Sequence, residues 1–171
     1  MKKIQFLSIA ILSSFVIACG GKKDEGKKDE GFQVQRANSD DKKEVAANTN
    51  TVALAGNDQM LFDKNELRVE AGKPVTLTLR HTGVMQKISM GHNFVLLKQG
   101  TNVAEFAGAA ASARDNDYIP ADSDAVIAHT KMLGGGESDT ITFDAPAPGT
   151  YDFICSFPGH YAVMRGTLVV E

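Results

Sequence analysis

Between Cys155 and Met164 the chain reads CSFPGHYAVM, which spaces a cysteine, a histidine and a methionine as C-x4-H-x3-M. A second histidine stands upstream in Gly91-His92-Asn93. Together these residues offer a thiolate, two imidazoles and a thioether. Soft sulfur beside imidazole selects copper over magnesium or calcium, and one thiolate, two histidines and a weak axial methionine form the blue-copper donor set. Zinc is the chemical rival, although it ordinarily takes a fourth N, S or O ligand or a water. A Cys-His nucleophile pair is the catalytic rival. It leaves Met164 and His92 without a role, and no third, orienting residue stands out. Each residue alone is an ordinary core or turn residue, and a methionine near a strand end usually packs. Their combination is what points to a metal.

The rest of the chain explains why only one cysteine is free for this work. The 171 residues hold two cysteines and no tryptophan, with 18 basic and 21 acidic residues. Two cysteines exclude a multi-bridge disulfide scaffold and a four-cysteine metal site. A pI near 5.8 argues against broad nucleic-acid binding, which needs a basic face. Residues 1–18 read MKKIQFLSIAILSSFVIA, a basic start followed by a short apolar run. That run suits a signal peptide better than a membrane-spanning helix. It ends Ala18-Cys19-Gly20, which resembles the lipobox of bacterial lipoproteins, where cleavage precedes a cysteine that is then lipidated. Several acyl chains on Cys19 would hold the protein stably on a membrane. Removing 1–18 leaves 16 basic against 21 acidic residues, a net charge of −5. Cys155 is then the one unpaired cysteine of an exported protein, and a metal-bound thiolate accounts for it.

Residues 19–50 supply the lipidated Cys19 and a charged tether. After Cys19, two GKKDE units stand in tandem, and seven basic residues balance seven acidic ones over 20–50. So few apolar residues cannot offset the entropy of ordering, so the segment reads as disordered. A flexible coil of 31 residues spans about 30 Å r.m.s.. Residues 51–171 form the domain, and the processed charge of −5 falls on it. Its pattern is all-β. Strands are expected at Glu66–Glu70, Val75–Arg80, Phe94–Leu97, Asp139–Phe143, Thr150–Cys155 and Gly166–Val170, separated by turns such as Gly134-Gly135-Gly136. VTLTLR alternates cleanly, with Val75, Leu77 and Leu79 on one face. Short strands at this spacing suggest a sandwich or a barrel. The alanine-rich stretch Val103–Ala113 lacks alternation and reads as a helix inserted between strands, ending near Arg114–Asp117.

The segments GNDQM (56–60), SMGHNFVL (89–96), DNDYIP (115–120), VIAHTK (126–131) and CSFPGHYAVMRGTL (155–168) resemble the azurins, in the cupredoxin family of blue copper proteins. The resemblance covers essentially all of 51–171 and keeps the family's order. It implies a Greek-key β-sandwich of about eight strands with a helical flap. It implies one copper ion held by His92, Cys155 and His160, with Met164 as a distant axial ligand and the Gly91 carbonyl opposite it. Two features depart from the family. The disulfide common near the start of azurin domains has no cysteines here, and Phe94 stands where tryptophan often follows GHN. Neither departure touches the expected ligands.

The function implied is outer-sphere transfer of single electrons, with copper cycling between Cu(II) and Cu(I). Asn93 is the candidate to tie the His92 loop to the Cys155 loop and to help bring hydrogen bonds near the sulfur. Phe157 and Pro158 would exclude water and stiffen the loop. His160 would be the electron port, within an apolar docking patch of Met60, Met85, Met90, Phe157, Pro158 and Ala162. His81 matches a histidine near copper that is not a ligand, and reads either as a pH-sensitive group or as a packed one. His129 reads as a surface residue. Expected partners are redox proteins such as c-type cytochromes or reductases, met transiently, with a membrane bound through Cys19 and no nucleic acid. The protein is expected to be a monomer in the bacterial cell envelope, periplasmic or at the cell surface. The alternative is a copper-buffering lipoprotein without a dedicated redox partner. An enzyme would need a second copper site or an open ligand position, and His81 and His129 do not cluster in sequence to supply one.

Overall fold

The computed structural model describes residues 50–171. The expected signal peptide, Cys19 and the tether up to residue 49 lie outside the described residues. Asn50, expected as the tether's last residue, instead belongs to the domain and is 1% exposed. Its side-chain amide donates to the carbonyls of Glu70 and Lys73, and its Oδ1 accepts from the Glu70 amide. A side chain with this many backbone partners is fixed at the sandwich edge, which sets the boundary one residue earlier.

The described residues form β1 (Thr51–Asn57), β2 (Leu61–Phe62), β3 (Glu66–Val69), β4 (Pro74–His81), α1 (Lys87–Met90), β5 (Val95–Leu97), α2 (Val103–Ala110), β6 (Val126–His129), β7 (Ser138–Asp144), β8 (Gly149–Ile154) and β9 (Arg165–Val170). Two sheets face one another, in strand orders β2-β1-β4-β7 and β3-β9-β8-β5-β6. Two pairs are parallel, β1 with β4 and β3 with β9, and the rest are antiparallel. The all-β sandwich with a helical insert is the architecture the sequence implies.

Period-two alternation builds the core. In β4, Val75, Leu77 and Leu79 point inward and are fully buried, and the same stripe continues to His81. On the opposite face the Thr76 and Thr78 hydroxyls pair across the sheet with Thr142 and Thr140. Leu54 joins the stripe from β1. Phe94, Leu96, Phe153 and Leu168 meet it from the other sheet. Strand β5 does not alternate, since Val95, Leu96 and Leu97 are all buried. Leu96 faces the central core, whereas Val95 and Leu97 face the helical insert. There α2 lays Phe106 and Ala110 over Val95, Leu97 and Ile154. The Asn102 side chain starts this helix by accepting from the Glu105 amide at 3.2 Å. The helix is shorter than the expected 103–113, and a 3-10 turn at Arg114–Asn116 follows it.

Strands β1, β2 and β6 go beyond the sequence expectation. TVALAGN is rich in small residues with weak strand preference, and β2 is only two residues long. Their order comes from pairing, as β1 lies along β4 from Thr51↔Thr76 to Gly56↔His81.

Phe153 sits at the centre of this core. Its ring packs against Phe62 and Phe94 at centroid distances of 5.7 and 5.3 Å. Phe153→Ala is expected to cost roughly 3–5 kcal/mol of unfolding free energy. Urea denaturation checks this as a lowered midpoint with an unchanged slope.

Candidate metal centre

Three loops meet at one end of the sandwich. The first is the turn after β1. Asn57 ends β1, and its carbonyl accepts from His92 Nε2 at 2.8 Å. A carbonyl only accepts, so Nε2 carries the hydrogen and Nδ1 keeps a free lone pair. Gly56 makes room for the ring, since a Cβ there would lie 2.9 Å from His92 Cδ2. The second is the segment from α1 to β5. Its Gly91 has no space for a side chain, with Lys87 O and Met132 Sδ at 2.7 and 2.8 Å from where a Cβ would stand. The His92 backbone exchanges hydrogen bonds with Leu133 in both directions. The third is the loop between β8 and β9. The Cys155 amide donates to the Met164 carbonyl, and the Met164 amide donates back to His160, so the 155–164 segment closes on itself.

These loops bring His92, Cys155 and His160 into one buried group, their candidate donor atoms all within 4.8 Å of one another. Cys155 Sγ lies 3.6 Å from His160 Nδ1, 4.0 Å from His92 Nδ1 and 3.7 Å from the Gly91 carbonyl. His92 and Cys155 are 0% exposed and His160 is 3% exposed. Met164 is fully buried next to them, its Cε 3.2 Å from where a Cβ on Gly56 would stand. Phe157 packs on the His160 ring at 4.5 Å, and Tyr118 packs edge-on against Phe157.

Asn93 joins the second and third loops. Its Oδ1 accepts from the Ser156 amide at 2.8 Å, and its Nδ2 donates to Ser156 Oγ at 2.8 Å and to the Asp117 carbonyl at 3.0 Å. Ser156, beside the cysteine, is the partner the sequence reading did not name. Among the described residues, every buried side-chain nitrogen and oxygen is partnered.

Dryness governs the electrostatics. Burial pushes the Cys155 thiol up from 9.0 to about 12, against the pull of the Asn93 and Phe157 backbone amides. Burial also drives His160 from 6.5 down to about 4, helped by the neighbouring His92 and His81, and lowers His92 mainly by the same burial. Two neutral imidazoles and a thiol are what a soft cation needs. A metal supplies the charge that makes the thiolate favourable, and its binding releases the thiol proton.

His81, one of the two spare histidines, is fully buried. It stacks on His92 at 4.2 Å, with its Nε2 2.8 Å from the Met90 carbonyl and its Nδ1 accepting from the Gly83 amide. The stripe Val75, Leu77, Leu79, His81 carried that signal. His129 is exposed. In the expected docking patch, Met60, Met85, Pro158 and Ala162 are exposed, while Met90 and Phe157 are half-buried. The structure adds Leu61, Val84, Ile88 and Val163 to the exposed apolar residues.

One further contact organises this end. The Asp58 carboxylate accepts from the Val84 and Met85 amides at 2.8 and 3.2 Å, and the Val84 bond holds its pKa below the usual carboxylate value. It fills the space of an absent side chain, because a Cβ on Gly83 would lie 2.0 Å from Asp58 Oδ1. On the opposite side, a Cβ on Gly135 would meet the Val84 backbone at 2.5 Å. Gly134 and Gly135 are therefore a platform on which Gly83, Val84 and Lys87 lie directly.

A family model described as copper binding proteins, plastocyanin/azurin family, matches residues 46–171. Azurin-1 of Alcaligenes xylosoxydans xylosoxydans is 46% identical over 122 residues, covering 69% of this chain and 95% of that protein. The azurin of Bordetella pertussis is 48% identical over 122 residues, covering 69% and 81%. Among solved structures, reduced auracyanin from Roseiflexus castenholzii superposes with a TM-score of 0.65 at 42% identity, covering 71% of this chain and 97% of that one.

Two outcomes follow from the site's packing and charge. Gly83→Ala is expected to destabilise by roughly 1–3 kcal/mol through overpacking, and by less in an Asp58→Ala background. A double-mutant cycle by denaturant titration checks the coupling. In the metal-free protein the unfolded state takes up protons on His92 and His160 before the folded state does, so stability falls as pH drops from 6.5 towards 4. Above pH 9 the unfolded state loses the Cys155 proton that the folded state keeps, so stability falls again. Midpoints measured across pH should therefore be highest between about 7 and 9.

Proposed function

The chain belongs to the plastocyanin/azurin family of copper binding proteins, and on that premise we propose that it carries single electrons between redox proteins of the cell envelope while lipid on Cys19 holds it at a membrane. The observation that carries this reading is the convergence of two imidazole nitrogens and one thiol sulfur in a dry site. That donor set fits one copper ion. His92, Cys155 and His160 would hold it, with Met164 and the Gly91 carbonyl as the weaker neighbours. Bound there, copper supplies one-electron chemistry between Cu(II) and Cu(I).

The protein's part is to keep its donors still. Asn57 fixes the tautomer and ring angle of His92. Asn93 and Ser156 lock the cysteine loop to the histidine loop. Close packing around Met164 and Phe157 leaves the donors little room to rearrange between oxidation states, which keeps the reorganisation cost low. His160 is the donor nearest solvent, flanked by exposed Pro158, Gly159 and Ala162. A partner that covers those residues approaches the metal through one imidazole ring. Exposed methionine and valine around it suit short-lived contacts.

Among the described residues, no helix is long and apolar enough to cross a membrane. Attachment is assigned to Cys19 on the sequence Ala18-Cys19-Gly20.

The copper-loaded protein is expected to be intensely blue, and Cys155→Ser to abolish the colour and its characteristic EPR signal. A Cys155→Ser variant that stays blue removes the site assignment. Rapid electron exchange with a c-type cytochrome is the result expected of a carrier, whereas copper binding with negligible exchange marks a buffer. For the anchor, Cys19→Ala is expected to move the protein from the membrane fraction to the soluble fraction of cells.

A further inference from the structure

Beside the metal centre lies a groove of about 210 Å³ between α1 and the loop after α2, lined by Lys87, Ile88, Arg114, Asp117, Tyr118 and Met132. Its floor reaches two donor residues through one neighbour each. Met132 presses on Gly91, whose carbonyl lies 3.7 Å from Cys155 Sγ, and Tyr118 packs on Phe157, which packs on His160. On the α1 side it opens onto exposed apolar residues: Ile88, in the lining, is 64% exposed, and Val84, earlier in the same segment, 89%. Lys87 and Arg114 are both exposed, and neither forms an ion pair among the described residues. Most other cations of the domain stand beside an acid. Lys64 pairs with Asp63, Arg68 with Glu66 and Glu171, Lys73 with Glu70, and Lys98 and Lys131 lie about 4 Å from Asp124 and Asp139. Against Lys87 and Arg114, Asp117 is the one acid lining the groove, so the lining residues sum to one positive charge on a domain of net −5.

We propose that this groove is the charged half of the docking surface, and that it receives a carboxylate side chain of the redox partner while Val84, Met85 and Ile88 make the apolar contact. The inference rests on the electron-carrier reading and adds the partner's chemistry to it. The partner presents an acidic residue beside an apolar face. A purely basic partner would meet two unpaired cations next to the port. One or two such pairs orient an encounter and speed association without making release slow.

Two experiments on the copper-loaded full chain test the groove. In the first, the reduced protein gives one electron to hexacyanoferrate(III), forming hexacyanoferrate(II), at low ionic strength. Lys87→Gln/Arg114→Gln is compared with Arg68→Gln/Lys73→Gln, which removes the same charge elsewhere. The groove variant is expected to react roughly three- to tenfold more slowly than the control, with the gap closing at high salt. With tris(phenanthroline)cobalt(III), a cationic oxidant, it is expected to be no slower than the control. Equal rates for the two variants with hexacyanoferrate(III) overturn the inference. Wild-type protein that exchanges with neither oxidant overturns the carrier reading instead. In the second, a peptide carrying Leu-Glu-Glu is titrated into the reduced protein and followed by NMR. Amide shifts at Lys87, Ile88 and Arg114 that are lost in Lys87→Gln/Arg114→Gln support the groove. Shifts confined to other cations, or none, overturn it whether or not electrons are exchanged.

Discussion

Asn93 and Ser156 share hydrogen bonds inside a region closed to water, and the arrangement of the site depends on them. One residue follows His92 and the other follows Cys155. Neither sheet alone dictates how far the histidine loop stands from the cysteine loop, because those loops leave β-structure before they meet. The buried amide sets that distance. Its partners are fully satisfied, which is the condition under which a buried polar pair specifies structure rather than weakening it. From this contact outward, the Asp117 carbonyl ties in the loop after α2, and that loop places Tyr118 against Phe157 and Phe157 against His160.

Around that clamp, small residues do as much as large ones. Gly56 admits the His92 ring, Gly91 admits Met132, Gly83 admits the Asp58 carboxylate, and Gly135 admits the Val84 backbone. At each, the missing side chain of the glycine lets a neighbouring group reach the backbone directly. At the end of the sandwich that bears the donors, side chains and neighbouring backbone thus pack directly on glycine backbone. This arrangement gives rigidity to loops, which ordinarily move more than the strands they join. Burial lowers the two ligand-type histidines, which keeps them in the neutral form a metal binds, and raises the thiol, whose ionisation a bound cation would make favourable.

Much of this was legible in the chain. The donors lay in two short motifs, and the alternation of VTLTLR fixed the inward face of β4. The same alternation, carried two residues further, places His81 in the core, where the structure finds it stacked on His92. Strand β1 was less legible because Ala53, Ala55 and Gly56 give little local preference, and only pairing with β4 orders them. The Asp58 latch had no local signal at all. Asp58 and Gly83 stand far apart in sequence, and their relation is steric. Ser156 was hidden by its position between two residues with more conspicuous chemistry. Asn50 reads as linker by composition, and its role comes from three backbone partners that only folding brings near.

The direction of β1 fixes where the chain enters the domain. The strand runs from Thr51 to Asn57, and Asn57 is the residue that touches His92. Six strand steps put Thr51, the residue after Asn50, about 20 Å from the donor end. The chain therefore enters the fold a strand's length from the donors, and the point of entry and the donor end lie at opposite ends of one strand.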